Sequence, residues 1–225
     1  MIFKGAFNEL DTYLKENLHT ITCHKLFSIK QDFYQTVETL IGSTANLTGI
    51  TELLIFRYLY HTLEMINPVF NKSVSNGTKQ LSIGKRFVGR NGRPQDPDIV
   101  IERNGSIAHL ISIKNALATN SPKGFEKDSE VIKYLMSKNG PNQVCNNGIV
   151  DFHRIDNIRH GEHKDFKSIT VVFSKVQDRH QRAIDIIHEA YDWHRFIILE
   201  NNNNLFMEEI KENLPLLVPE GQYFD

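Results

Sequence analysis

Pro97-Asp98-Ile99-Val100-Ile101-Glu102 is followed by a short spacer, Arg103 to Ser106, and then by Ile107-Ala108-His109-Leu110-Ile111-Ser112-Ile113-Lys114. Two apolar runs rich in Ile and Val, joined through Asn104-Gly105, predict neighbouring antiparallel strands with a tight turn, because Asn-Gly accepts the positive φ such turns require. Side chains alternate along a strand, so Ala108, Leu110, Ser112 and Lys114 are expected on one face and Ile107, His109, Ile111 and Ile113 on the other. An acid opens one strand and a lysine closes its neighbour, which brings Asp98 and Lys114 towards one patch of solvent.

Pro97-Asp98, thirteen intervening residues and then Ser112-Ile113-Lys114 resemble the signature of the PD-(D/E)xK nuclease superfamily, with Ser112 standing where the second acid of the motif belongs. The flanking pattern is similar to that superfamily as well. An apolar helix over 51–66, stopped by Asn67-Pro68, precedes a strand near Gln80 to Val88 and the hairpin. A helix near Asp128 to Ser137, a strand from Ser168 to Phe173, a helix from Asp178 to Asp192 and a strand from Arg195 to Glu200 follow. The resemblance implies an α/β fold with a restriction-endonuclease-like αβββαβ core, a central mixed sheet flanked by helices, over residues 48–225. Residues 1–47 are expected to form an N-terminal helical region packed on that core, with helical patterns at Phe7 to Leu18 and Phe33 to Ile41 separated by Cys23 to Ser28.

What the resemblance implies chemically is Mg²⁺-dependent hydrolysis of phosphodiester bonds in duplex DNA. Asp98 becomes the principal ligand, the backbone carbonyl of Ile113 a second oxygen, and Lys114 the cation that stabilises developing charge or orients the attacking water. Serine is a poor ligand for a hard cation that prefers charged oxygen. Ser112 is therefore assigned the lesser role of ordering water, and a carboxylate must come from elsewhere. Glu52, in the first turn of the apolar helix, is preferred, since a charge among Leu53, Leu54 and Phe56 is costly unless it faces a polar site. The same acid is also an ordinary first-turn partner of the helix dipole. Asp128 is the alternative metal acid and Glu130 lies beside it, although an Asp before a helix is also an ordinary N-cap. Glu102 falls further along the strand, beyond the metal.

Composition bounds the reading. A chain of 225 residues, 40% hydrophobic and 24% charged, can bury a full core. Its net charge of −1 gives no global pull on DNA, so phosphate contacts must come from local clusters. Lys85, Arg86, Arg90 and Arg93, directly ahead of the motif, form such a cluster, and Asn142 and Gln143 in an Asn/Gly-rich stretch are candidate readers of base edges. The basic cluster reads equally well as solvated surface, and the Asn/Gly-rich stretch reads more simply as a surface loop. Two cysteines make no disulfide framework, and no apolar run reaches membrane-spanning length, so a cytoplasmic protein without membrane contact is expected. Ten histidines include no helical His-any-any-any-His pair, which disfavours zinc, and no Gly-rich phosphate loop precedes a Lys-Ser/Thr.

The resulting expectation is a type II restriction endonuclease acting as a homodimer on a palindromic site, with a cognate DNA methyltransferase as its functional companion, as the resemblance implies. A structure-specific repair or recombination nuclease and a non-catalytic DNA-binding module on the same fold are the alternatives.

Overall fold

In a computed structural model, residues 2–43, 47, 49–66, 71–119, 133–134, 137, 146–161 and 165–215 are described. The chain opens with helices α1 (Ile2–Glu16), α2 (Cys23–Ile41) and α3 (Gly49–Thr62). Strands β1 (Ser73–Ser75), β2 (Lys79–Ile83), β3 (Phe87–Val88), β4 (Pro94–Gln95), β5 (Ile99–Arg103) and β6 (Ser106–Lys114) follow. Helices and strands then alternate as α4 (Asn147–Arg159), β7 (Lys167–Val172), α5 (Asp178–Ala190), β8 (His194–Ile198) and α6 (Phe206–Asn213). The fold is α/β. A six-stranded mixed sheet has the order β1-β2-β5-β6-β7-β8, antiparallel from β1 to β6 and parallel from β6 to β8, with β3 and β4 forming a separate hairpin.

Strands buried on both faces explain the near-continuous apolar runs. One face, carrying Ile99, Ile101, Ile111, Ile113, Ile169, Val171 and Ile197, packs on α1, α2, α3 and α6 through residues such as Leu14, Leu26, Leu54, Tyr58 and Phe206. The opposite face, carrying Val100, Leu110, Val172 and Phe196, packs on α4 and α5 through Ile149, Phe152, Ile155, Ala183 and Ile187. Three layers result, and the β5–β6 hairpin lies in the middle one.

The turn of that hairpin is as expected, with Asn104 at φ 52° and Gly105 at φ 80°. Its facing pattern is not. Glu102 pairs with Ile107 but Ile101 pairs with His109, so a bulge absorbs Ala108 and turns Ile107 to the Leu110 side. Beyond the bulge the alternation holds, leaving Leu110 with the α4 layer and Ile111 and Ile113 with the α3 layer.

Other elements also depart from expectation. Helix α2 runs unbroken through Cys23–Ser28, because the Thr22 hydroxyl accepts from Lys25 N at 3.1 Å and both Cys23 and Leu26 are buried. The strand expected from Gln80 to Val88 stops at Ile83, where Gly84 turns at φ 59° and donates its N–H to the Asp98 carbonyl at 3.0 Å. Of the expected Asp128–Ser137 helix, residues 133, 134 and 137 are helical, while Asp128 and Glu130 lie outside the described residues, as do Asn142, Gln143 and His163. Helix α4, which the sequence reading did not assign, begins at the Asn146 cap. No helix among the described residues is long and apolar enough to cross a membrane.

Candidate active site

Asp98 immediately precedes β5 and Lys114 ends β6, and the antiparallel register Ile99↔Ile111 carries both to one edge of the sheet. There the ladder runs out, so the Ile113 N–H finds Asp98 instead of a strand partner, donating to Oδ2 at 2.6 Å. Both polar groups of a strand residue project to the same side, so the Ile113 carbonyl turns towards Asp98 as well. The next residue points the other way: the Lys114 carbonyl accepts from Phe173 N, just after β7, at 2.8 Å.

The Lys114 ammonium forms an ion pair with Asp151, in the second turn of α4. Asp151 is only 2% exposed and its other oxygen faces Arg154, one turn further on, at 3.3 Å. A buried carboxylate flanked by two cations avoids the cost of an isolated charge. Glu52, in the first turn of α3, is near enough for its charge to act on Asp98.

These charges register on Asp98. Burial pushes its carboxyl up to about 6; the Ile113 N–H opposes that rise, the Asp151 charge adds to it, Lys114 opposes it and Glu52 adds to it. Asp98 therefore feels Glu52, Asp151 and Lys114 together, and this electrostatic coupling marks the end of β6 as one site. The expected residues Asp98, Lys114, Glu52 and the Ile113 backbone are brought to it. Ser112, 2% exposed, is adjacent, but its hydroxyl makes no hydrogen bond to a described residue.

Asp151 is the residue that sequence reasoning missed. Asn146-Asn147-Gly148 reads as a loop, yet Asn146 is an N-cap, accepting from Ile149 N at 3.0 Å. The spacing of Ile149, Phe152, Ile155 and Ile158, each three residues from the last, was the available signal for a helix carrying Asp151.

The basic cluster behaves differently from a set of free phosphate contacts. Lys85 holds both oxygens of buried Glu102 at 2.6 and 2.7 Å, which gives Glu102 a structural task remote from any metal. Arg86 holds Asp96 at 2.9 and 3.1 Å. Arg90 donates to Asn157 Oδ1 at 3.2 Å and faces Asp156 at 3.9 Å, fastening the β3–β4 hairpin to α4. Arg93, at the hairpin tip, is exposed. His109 is buried, and burial holds it down to about 4, a neutral core histidine rather than a base for the site.

Among the described residues, no three acidic, histidine or cysteine side chains stand close enough to enclose a metal ion. The donors at Asp98 nevertheless suit Mg²⁺, which takes oxygen ligands, keeps several waters and commonly uses only one or two carboxylates. Asp98 Oδ1 takes no hydrogen bond from a described residue, the Ile113 carbonyl lies on the same side, and the repulsion that adds to the rise of the Asp98 carboxyl is relieved by a cation. Comparison with protein-family models, curated proteins and solved structures finds no match to this chain.

Proposed function

We propose that the protein is a Mg²⁺-dependent endodeoxyribonuclease on a restriction-endonuclease-like core, acting as a type II restriction endonuclease on duplex DNA. The observation that carries this reading is the meeting of Asp98, Lys114, Glu52 and Asp151 at the end of β6. An isolated Asp and Lys at hairpin rims have no reason to share a buried helix acid.

In this reading Glu52 supplies from α3 the carboxylate that Ser112 lacks, and Asp151 on α4 positions Lys114. Asp98, with Glu52 and the Ile113 carbonyl, would hold the Mg²⁺, which when bound supplies Lewis-acid stabilisation of the phosphoryl charge. The chain's own groups do the positioning. Asp151, fixed by Arg154, aims the Lys114 ammonium, and Lys114 then orients the attacking water or stabilises charge developing on the phosphate. Arg93 and the exposed side of Arg86 are the residues of the hairpin best placed to neutralise phosphate; Lys85 and Arg90 are committed to the fold.

The deciding experiment is incubation of the purified protein with mixed-sequence plasmid and Mg²⁺ or Mn²⁺. Discrete fragments, lost in Asp98→Asn and Lys114→Ala, support a site-specific enzyme, its homodimeric state being read from the same preparation by light scattering. Nicking confined to branched or damaged DNA would favour a repair nuclease instead. Binding without cutting in every variant would favour a non-catalytic module.

A further inference from the structure

Helix α2 lies along the edge of the sheet where the parallel strands end. Its start is tied to the turn after β8, with Cys23 N donating to Asn204 O at 3.0 Å and His24 N to Asn202 O at 2.7 Å. Further on, the Tyr34 hydroxyl donates to Leu47 O at 3.1 Å, just ahead of α3, and its side chain is also hydrogen-bonded by Asn115, the residue after Lys114. The helix thus passes from β8 to the end of β6, closing the side of the candidate active site opposite α4. Crevices outside the carboxyl ends of parallel strands are where open α/β sheets take ligands.

Lys30 projects from this helix and is only 7% exposed. Its ammonium stands 4.7 Å from the centre of the Tyr34 ring and 5.9 Å from that of Phe27, and makes no hydrogen bond or ion pair with a described residue. Glu200 acts on it only at a distance, with one carboxylate oxygen already accepting the backbone N–H of Lys175. Asn115, which hydrogen-bonds the same Tyr34, has its Oδ1 buried with no partner among the described residues. An ammonium has three donors to satisfy and is rarely buried without an acceptor. Ring faces do not replace those bonds, so the position is incomplete in the absence of a ligand.

We infer that Lys30 and Asn115 form a phosphate subsite next to the catalytic group, holding the phosphate adjacent to the scissile one on the strand being cut; this rests on the nuclease reading above. Lys114 and Asn115 are consecutive, so a contact at each spans neighbouring groups of one strand. The Asn115 carboxamide can turn end over end if the single Tyr34 O–H swings from the Leu47 carbonyl to the carboxamide oxygen, and it then presents an N–H where the unpaired oxygen now lies. Lys30 and Asn115 then donate to the same anion. Such a contact is positional: it holds the strand in register with Lys114 and reads no base.

The test uses thymidine 3′,5′-bisphosphate, with inorganic phosphate as a second arm, titrated calorimetrically into the full-length protein and its Lys30→Met, Lys30→Arg and Asn115→Ala variants. Wild type should bind the bisphosphate more tightly than phosphate. Lys30→Met should weaken bisphosphate binding roughly tenfold to a hundredfold, as loss of a charge-assisted contact does. Lys30→Arg should restore part of that loss. Thermal melting separates ligand binding from scaffolding: removing an unpaired buried ammonium should leave the melting temperature of Lys30→Met unchanged or higher. Unaltered bisphosphate affinity in Lys30→Met, no binding to wild type, or a lowered melting temperature alongside the lost affinity would each overturn the inference. Plasmid cleavage distinguishes the two proposals. If wild type cuts and Lys30→Met cuts with the same kcat/KM, only the subsite is wrong; if Lys30-dependent binding is found but nothing is cut, only the nuclease reading is wrong.

Discussion

Replacing Asp98 with Asn should make the protein more stable at pH 8 while removing its proposed activity. The Asp98 carboxyl lies at about 6 in the folded chain against an ordinary value of 3.8, chiefly because it is buried, with Asp151 and Glu52 adding to the rise. A raised carboxyl means that the folded state binds its proton more tightly than the unfolded state. The associated stability is complete below the unfolded value and is lost as pH rises through about 6. A difference of about two units corresponds to ~3 kcal/mol withheld from the folded state at pH 8. Asparagine keeps an oxygen for the Ile113 N–H and carries no charge, so Asp98→Asn should recover much of that amount, roughly 6–12 °C in melting temperature for a chain of this size. The gain should fall below ~1 kcal/mol at pH 4, where wild-type Asp98 is protonated in the folded state. Measuring the difference between the two proteins matters, because buried His109 and His194 pull the other way. Burial depresses both, so their contribution is present above the unfolded histidine value of 6.5 and is lost as pH falls below it. They are common to both proteins and cancel. Thermal unfolding from pH 4 to 8, with and without Mg²⁺, is the assay; Mg²⁺ should raise the wild-type transition and leave Asp98→Asn unmoved. Parallel curves, with no pH-dependent gap between wild type and variant, would refute the account of Asp98 as a carboxylate charged at a cost.

Three further outcomes test the surroundings. Lys114→Ala should lower stability by ~3 kcal/mol, because it strips a buried acid of its principal partner, and Lys114→Ala with Asp151→Ala should cost much less than the two single changes added together; strict additivity in urea titrations would show that the pair is not coupled. Lys85→Ala should lower the melting temperature by exposing Glu102 as an unpaired buried charge, whereas Arg93→Ala should leave it unchanged and shallow the salt dependence of DNA binding by about one phosphate; the reverse assignment in melting and fluorescence-anisotropy measurements would reject the division of the basic cluster. Gly148→Ala should cost ~1–3 kcal/mol, since a Cβ there meets Leu117 Cδ2 and Phe196 Cε1 at 2.9 Å, and a shift of the urea midpoint checks it.

Much of the fold was legible because its strands are short, apolar and punctuated by residues of fixed conformational meaning. Asn104-Gly105 specifies the hairpin turn, and the buried run from Ile50 to Leu59 specifies α3. Less was legible where polar residues are buried. Helix α4 encloses Asp151, His153, Asp156 and Asn157 together with its isoleucines, so no polar face marks it as amphipathic, and the acid it carries went unread. The bulge at Ala108 is likewise silent in the alternation of the strand, and Lys85 gave no sign that it answers Glu102 across the sheet rather than a phosphate. Pattern reports which face is apolar; it does not report which charges find each other.

The distribution of unfavourable groups supports the assignment independently of any motif. Away from the end of β6, several buried polar side chains are matched, Glu102 by Lys85 and His194 by Ser168 at 2.7 Å and Thr170 at 3.2 Å, whereas ring nitrogens such as His180 Nε2 make no hydrogen bond to a described residue. At the end of β6, Asp98 is driven up by burial and by two neighbouring acids, and among the described residues Lys30 has no acceptor and Asn115 Oδ1 no donor. An unpaired cation, an unpaired acceptor and a crowded carboxylate gathered at one edge are poor for folding alone. Their opposite signs make an accidental defect a weak explanation, since a single local rearrangement bringing Lys30 to an acid would remove the worst of it. A ligand carrying phosphate beside a divalent cation satisfies both signs at once, the cation at Asp98 and the anion at Lys30. Proteins tolerate local inconsistency of this kind where function demands it, and a stability gain in both Asp98→Asn and Lys30→Met, accompanied by loss of DNA cleavage in the first and of bisphosphate binding in the second, is the joint result this reasoning requires.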